Sequence, residues 1–315
     1  MGAILLAVTG MHADAWERRF RALAPRRDIR VWPERAGELG DIAYACVWKA
    51  PAGTLVRLAN LKAVFSLGAG VDHVFADPGL PEVPIVRIVD DDLTMRMGEY
   101  VLLHVLMHHR RHRLYDAQQR DRVWQEQRQP AASAVTVGIM GLGVLGRHAA
   151  VLLRQVGFNV VGWSRTAKSV DGIASFYGDD GLDAFLSRTD ILVSLLPATP
   201  QTRGLINRDL LGRLRRDGPL GGPVLINAGR GQTQVGADIL SALDDGTLAA
   251  ATLDVFESEP LAPDNPLWTH PNATITPHNA AASAPRALVR NILDQIERFE
   301  AGEPLQHVVE RKRGY

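Results

Sequence analysis

Val135-Thr136-Val137-Gly138-Ile139-Met140 is an apolar run that leads straight into Gly141-Leu142-Gly143-Val144-Leu145-Gly146, and a helical pattern follows over Leu145–Val156. A strand, a GxGxxG turn and a helix in that order form the nucleotide loop of a βαβ unit. The first glycine permits the tight turn, the second lets backbone approach a pyrophosphate, and the third allows close helix–strand packing. The helix N-terminus then faces the phosphate charge. GxGxxG alone is a weak signal, and its flanks make it specific. Gly141, Gly143, Val144, Leu145 and Gly146 are therefore the expected dinucleotide loop.

The next apolar run, Asn159–Trp163, ends in Ser164-Arg165-Thr166-Ala167-Lys168, about 20 residues past the loop, where the ribose should lie. An NAD site usually places a carboxylate there, and this chain offers none before Asp171. Arg165 suits a 2′-phosphate, with Ser164, Thr166 and Lys168 as further donors. A solvated basic turn is the plainer alternative. The missing acid and the present bases agree on NADPH in preference to NADH.

Outward from this core, 315 residues exceed one comfortable domain, so two are expected. Before the loop, Ala3–Thr9, Ile29–Trp32, Ala43–Trp48, Ala63–Ser66 and Ile85–Val89 read as strands alternating with helices, a parallel α/β pattern. Asp90-Asp91-Asp92 suits the positive end of a long helix predicted over about Leu93–Arg120. After the loop, Ile191–Leu196, Val224–Asn227, Ala250–Val255 and Ala273–Thr276 continue the strands, and about Ala284–Phe299 is a last helix.

Thirty-five basic residues balance thirty-five acidic ones, which gives no support for a nucleic-acid partner. Apolar residues make up 46%, yet no run approaches the roughly 20 residues that span a bilayer, so no membrane partner is expected. Met1–Val8 reads as a buried strand rather than a leader. The single cysteine, Cys46, excludes an internal disulfide and reads as buried and inert. The expected address is the cytoplasm.

Three later segments bring polar groups to where an apolar strand meets a loop: Arg230 just past Val224–Asn227, Asp254 and Glu259 within Thr252–Leu261, and His278 after Ile275-Thr276-Pro277. Each alone reads equally well as a loop charge. Together they point to a site, because ligands of open parallel sheets bind beyond the strands' carboxyl ends. Leu67-Gly68-Ala69-Gly70 also follows a strand, and its amides can bind a carboxylate.

These stretches, with Val71-Asp72-His73, Trp163-Ser164-Arg165, Pro266-Leu267-Trp268 and Arg313-Gly314-Tyr315, resemble the D-isomer-specific 2-hydroxyacid dehydrogenase family over nearly the whole chain. The similarity is greatest to its glyoxylate/hydroxypyruvate reductase branch. It implies two Rossmann-like doubly wound α/β domains with the active site in the cleft between them. The flavodoxin-like substrate domain would take 1–99 plus 284–315, and the dinucleotide domain 100–283. It implies NADPH-dependent reduction of glyoxylate to glycolate and of hydroxypyruvate to D-glycerate. Arg230 would bind the substrate carboxylate and polarise the ketone, His278 would donate the proton, and Glu259 would orient the imidazole. Leu196, Pro197 and Asp254 would help seat the cofactor, while Trp48, Ala69 and Gly70 would line the substrate pocket. For Trp48 a core role at a strand end is an equal reading.

The resemblance also implies a homodimer, with the polar stretch after Trp124 reaching a partner copy. His108 and His112 stand at i, i+4, but without an HExxH glutamate they read as a solvated or interface face, and no metal is expected. Arg286 reads equally as a pocket or a surface residue. Phosphite oxidation needs the same Arg, Glu and His set, whereas formate dehydrogenases usually carry Gln at the position of Glu259. A nucleotide-sensing corepressor is the rival from another class, separable by partner binding without turnover.

Overall fold

The computed structural model of the chain describes residues 2–10, 12–282 and 284–314. It forms two compact units, Met1–Leu93 with Ser283–Tyr315, and Thr94–Ala282. The first holds β1 (Ala3–Val8), β2 (Ile29–Val31), β3 (Ile42–Trp48), β4 (Ala63–Ser66) and β5 (Ile85–Val86) in the order β2-β1-β3-β4-β5. All its pairings are parallel, and the order is the flavodoxin-like one. Ile4 and Leu6 pack with Trp16, Phe20, Leu288 and Ile292 on one face, while Leu5 and Ala7 pack with Val64 and Val74 on the other. Burial on both faces explains why these strands read as unbroken apolar runs.

The last helix, Pro285–Glu300, covers one face of this sheet beside the helix Ala13–Leu23. Arg27 holds its end by two parallel bonds to Glu300, at 3.0 and 2.8 Å. That pairing raises the Arg27 pKa and lowers that of Glu300. Arg286 lies exposed on the helix. Cys46 is fully buried in β3, and burial pushes its thiol pKa up.

The second unit holds β6 (Thr136–Met140), β7 (Asn159–Ser164), β8 (Ala174–Tyr177), β9 (Ile191–Ser194), β10 (Val224–Asn227), β11 (Ala250–Leu253) and β12 (Ala273–Ile275). Their order is β12-β11-β10-β9-β6-β7-β8, again all parallel. The chain winds outward to β8, then restarts at β9 on the other side of β6. The glycine loop leaves β6 at this reversal, where ligands of such sheets bind. The edge strand β8 escaped prediction because its four residues are only partly covered and carry little apolar pattern. Ile191–Leu196 and Ala250–Val255 both end early, the first because Pro197 turns the chain out of the ladder.

The helix predicted over Leu93–Arg120 is in fact two, Asp91–His109 and His112–Asp121. Asp90 does start the first one, its Oδ1 accepting from the amides of Asp92 and Leu93 at 3.0 and 3.2 Å. No glycine or proline marks the break, where Arg111 has φ +54°. Tertiary bonds cause it: Arg113 donates to the Pro271 carbonyl and Thr274 Oγ1, and Gln129 donates to the His109 carbonyl at 2.7 Å. The solvated histidine face is corrected by the same break. His112 is exposed and bonded to Asp116, whereas His108 turns inward to Thr252 Oγ1 at 2.8 Å.

Burial, with the nearby His104 and Arg113, pushes the His108 pKa down to about 4, and burial lowers His104 and His109 as well. A histidine whose pKa is depressed by folding binds fewer protons than in the unfolded chain, so stability rises with pH across that interval. The melting temperature is therefore expected to fall as pH drops from 6.5 towards 4, and less steeply in His108→Asn. Parallel thermal-melt series of the two proteins check this, and identical slopes would count against it.

Candidate active site

Each glycine of the loop has its own reason in the structure. Gly141 sits at φ +112°, and its amide donates to the Trp163 carbonyl at 2.8 Å, tying β6 to β7. A Cβ on Gly143 would meet nothing within 4 Å, so the backbone there is open to a ligand. A Cβ on Gly146 would stand 1.9 Å from the Gly141 carbonyl oxygen. The helix Val144–Val156 therefore begins hard against the turn, with no side chain capping its N-terminus. Its free amides and the open backbone fit a pyrophosphate.

At the end of β7, Ser164 is buried and donates its hydroxyl to the Thr166 carbonyl at 2.8 Å, which shapes the turn. Arg165, Thr166 and Lys168 are exposed on it. Leu196 is buried beside the loop, and the Pro197 carbonyl accepts from Thr202 Oγ1 at 2.6 Å.

Arg230, Glu259 and His278 leave the ends of β10, β11 and β12. His278 Nδ1 and Glu259 Oε2 are 2.8 Å apart, and both side chains are partly exposed. The other carboxylate oxygen, Oε1, accepts from the Phe256 amide at 3.2 Å. Phe256 in turn faces Gly231, where a Cβ would lie 1.9 Å from its carbonyl oxygen. Arg230, immediately before that glycine, bonds the Gly229 carbonyl through Nη1 at 2.8 Å. Beneath it Asn227 donates to Gln234 at 2.7 Å, and Gln234 to the Val255 carbonyl at 2.9 Å. The Arg230 and Glu259 loops are thus fastened by backbone packing and buried amides.

His278 adopts φ +52°, a left-handed conformation rare outside glycine. Asp254 holds it there. The Asp254 carbonyl accepts from the His278 amide at 2.8 Å, and the buried carboxylate accepts from the Asn279 and Ala280 amides at 3.0 and 3.1 Å. Thr276 Oγ1 donates to the same carboxylate at 2.6 Å, so the Tyr100 hydroxyl, 2.7 Å from Thr276 Oγ1, gives its proton to Thr276. Burial raises the Tyr100 pKa. The roles of Tyr100 and Gln234 had no mark in the sequence, since Thr276 and Val255 lie far along the chain from them, and Asn227 read only as the end of a strand. The threonine before Pro277-His278 was the one local hint.

In the first unit, Trp48 ends β3 and is partly exposed, as are Ala69 and Gly70 in the loop after β4. Among the described residues no group of three or more His, Cys, Asp or Glu side chains is arranged to hold a metal ion. No helix among them is long and apolar enough to cross a membrane.

Residues 102–280 match the NAD binding domain of the D-isomer specific 2-hydroxyacid dehydrogenases. The chain belongs to that family. The family's members are NAD(P)-dependent oxidoreductases, and their fold is the pair of parallel sheets described above. Glyoxylate/hydroxypyruvate reductase A of Yersinia enterocolitica is 40% identical over 309 residues, 96% of each chain. Among solved family members, an NADPH-dependent glyoxylate/hydroxypyruvate reductase from Sinorhizobium meliloti, in complex with NADP and sulfate, superposes with a TM-score of 0.95 at 47% identity, covering 100% of both chains. A D-isomer specific 2-hydroxyacid dehydrogenase from Xanthobacter autotrophicus, bound to NADPH and MES, gives 0.94 at 39% identity and covers 100% of this chain and 99% of its own.

Replacing Thr276 with Val keeps the shape but leaves the Tyr100 hydroxyl without its acceptor and removes one donor from Asp254. A buried polar group left unsatisfied costs about 1–3 kcal/mol. Thr276→Val is expected to lose about that much stability in denaturant titration, and Thr276→Ser much less. Equal losses in both would show that the hydroxyl contributes nothing.

Proposed function

We propose that this chain reduces small 2-keto acids with NADPH, converting glyoxylate to glycolate and hydroxypyruvate to D-glycerate. The observation that carries this reading is the 2.8 Å His278–Glu259 pair, on a loop fastened beside that of Arg230. NADP or NADPH bound to relatives at 47% and 39% identity supports the cofactor, together with the basic Arg165-Thr166-Ala167-Lys168 turn. When bound, NADPH supplies the hydride.

The chain's own residues do the rest. Gly141, Gly143, Val144, Leu145 and Gly146 hold the pyrophosphate, with Leu196 and Pro197 flanking the cofactor. Arg165, Thr166 and Lys168 receive the 2′-phosphate on the turn that Ser164 shapes. The amides of Ala69 and Gly70 bind the substrate carboxylate beside Trp48. Arg230 pairs with that carboxylate and draws electron density from the ketone. Because His278 Nδ1 faces Glu259, Nε2 is the nitrogen that hands a proton to the developing alkoxide. Asp254 serves the cofactor site through the loop, by fixing His278 at its edge.

Steady-state assays with glyoxylate and hydroxypyruvate, run with each cofactor, test this reading. NADPH should give the higher kcat/KM, and a strong NADH preference would remove the cofactor assignment. His278→Ala should lower kcat at least 100-fold, within the usual range for a positioned acid of about 10²–10⁴, while NADPH still binds in a fluorescence titration. Undiminished turnover would mean that His278 is not the proton donor.

The same reading places the enzyme in the cytoplasm as a homodimer. Trp124 is fully exposed beside the half-exposed Val123, as a partner-covered segment would be. Light scattering is expected to return about twice the 34.4 kDa of one chain. A mass equal to one chain would refute the dimer.

A further inference from the structure

His73 lies in the short helix Asp72–Phe75, directly after the glycine loop of the first unit. Its ring joins the ends of the paired strands β3 and β4 beyond their last ladder bond, from the Leu67 amide to the Val47 carbonyl at 2.9 Å. On one side, the Lys49 amide donates to His73 Nδ1 at 3.2 Å. Lys49 is the residue after Trp48, and it sits at φ +46°, in the left-handed region that side-chain-bearing residues seldom occupy. An accepting Nδ1 puts the neutral ring's proton on Nε2, which faces Ser66 Oγ at 3.2 Å.

Ser66 ends β4 and is wholly buried. Its oxygen also accepts from the Gly68 amide at 3.3 Å, and its one proton is directed to the carbonyls of Gly70 and Gly68, at 2.8 and 3.0 Å. The indole of Trp48 closes the circuit. It lies 4.9 Å from the His73 ring and so close to Gly68 that a Cβ there would stand 2.3 Å from its Cζ3.

We propose that Ser66 and His73 are positioning residues that clamp Trp48 and the Gly68–Gly70 loop to each other, and so set how large a 2-keto acid this enzyme accepts. The inference rests on Trp48, Ala69 and Gly70 being substrate contacts. Neither Ser66 nor His73 needs to touch the substrate. Without the ring nitrogen Lys49 relaxes, the indole is released from the glycine face, and the loop amides lose their aim at the carboxylate. Binding of the small substrate weakens and room opens for a larger one, while the proton donor is untouched.

The test is steady-state kinetics with NADPH on wild type, His73→Ala, His73→Asn, His73→Gln and Ser66→Ala, using glyoxylate and phenylpyruvate. His73→Ala should raise the glyoxylate KM about tenfold, with kcat within about threefold. The glyoxylate-to-phenylpyruvate ratio of kcat/KM should fall about tenfold, the scale on which pocket size discriminates. NADPH affinity by fluorescence should be unchanged. Asn keeps an acceptor near Nδ1 and Gln a donor near Nε2, so each should recover part of the loss, and Ser66→Ala should resemble His73→Ala. A KM and a ratio within twofold of wild type in His73→Ala would overturn the clamp, as would a fall in kcat alone. Should His73→Ala lose NADPH binding through misfolding, a glyoxylate KM and a substrate ratio within twofold of wild type in Ser66→Ala overturn it equally. A wild type inactive on glyoxylate overturns the functional reading itself, and the clamp is then read on the 2-keto acid it does reduce.

Discussion

The Asp254 carboxylate gathers three donors, from Thr276, Asn279 and Ala280, while its own carbonyl takes the amide of His278. Four attachments within five residues leave the β12 loop little freedom. They make a left-handed histidine tolerable, although that conformation disfavours an L-residue by roughly 1–2 kcal/mol. Asp254 also donates its amide to the Asn227 carbonyl at 3.0 Å, reaching the strand that carries Arg230. One buried acid therefore sets the relative placement of the loops after β10, β11 and β12. The bonds that satisfy this buried carboxylate are the same ones that fix the backbone.

The parallel sheet provides the frame that makes this economical. Strands buried on both faces have almost no choice of register, because sliding one by a residue would exchange its two apolar faces between different layers. Their carboxyl ends are consequently fixed points. Loops that leave them need only a few bonds to become rigid, and Gly231 against Phe256 and Gly146 against Gly141 show how closely backbones approach there. These are positions where any side chain would force the loops apart.

Much of this was legible in the residues themselves. Long apolar runs named most of the strands, since a fully buried strand has no polar partner to hide it. The glycine loop was legible because its chemistry is local. Arg230, Glu259 and His278 stood out as polar groups at strand ends. What stayed hidden depends on contacts between distant segments. The break at Arg111 comes from Pro271 and Thr274, and the inward turn of His108 from Thr252. Tyr100 reaches Thr276 across 176 positions. No window of sequence contains both ends of such a bond, so neither propensity nor spacing can report it. Strand β8 was hidden for the opposite reason, its half-covered edge position leaving only a faint pattern.

The clasp of Arg27 on Glu300 carries a consequence for synthesis. The first sheet is complete only when the helix Pro285–Glu300 covers it, and that helix is made after the whole of Thr94–Ala282. Thr94–Ala282, by contrast, is contiguous and emerges from the ribosome as a whole. Domains generally fold as units during translation. The nucleotide-binding unit can therefore mature first, while β1 to β5 wait with one apolar face uncovered. A chain truncated before Pro285 would keep a sound second unit attached to a first that cannot close, an aggregation-prone species despite an intact glycine loop.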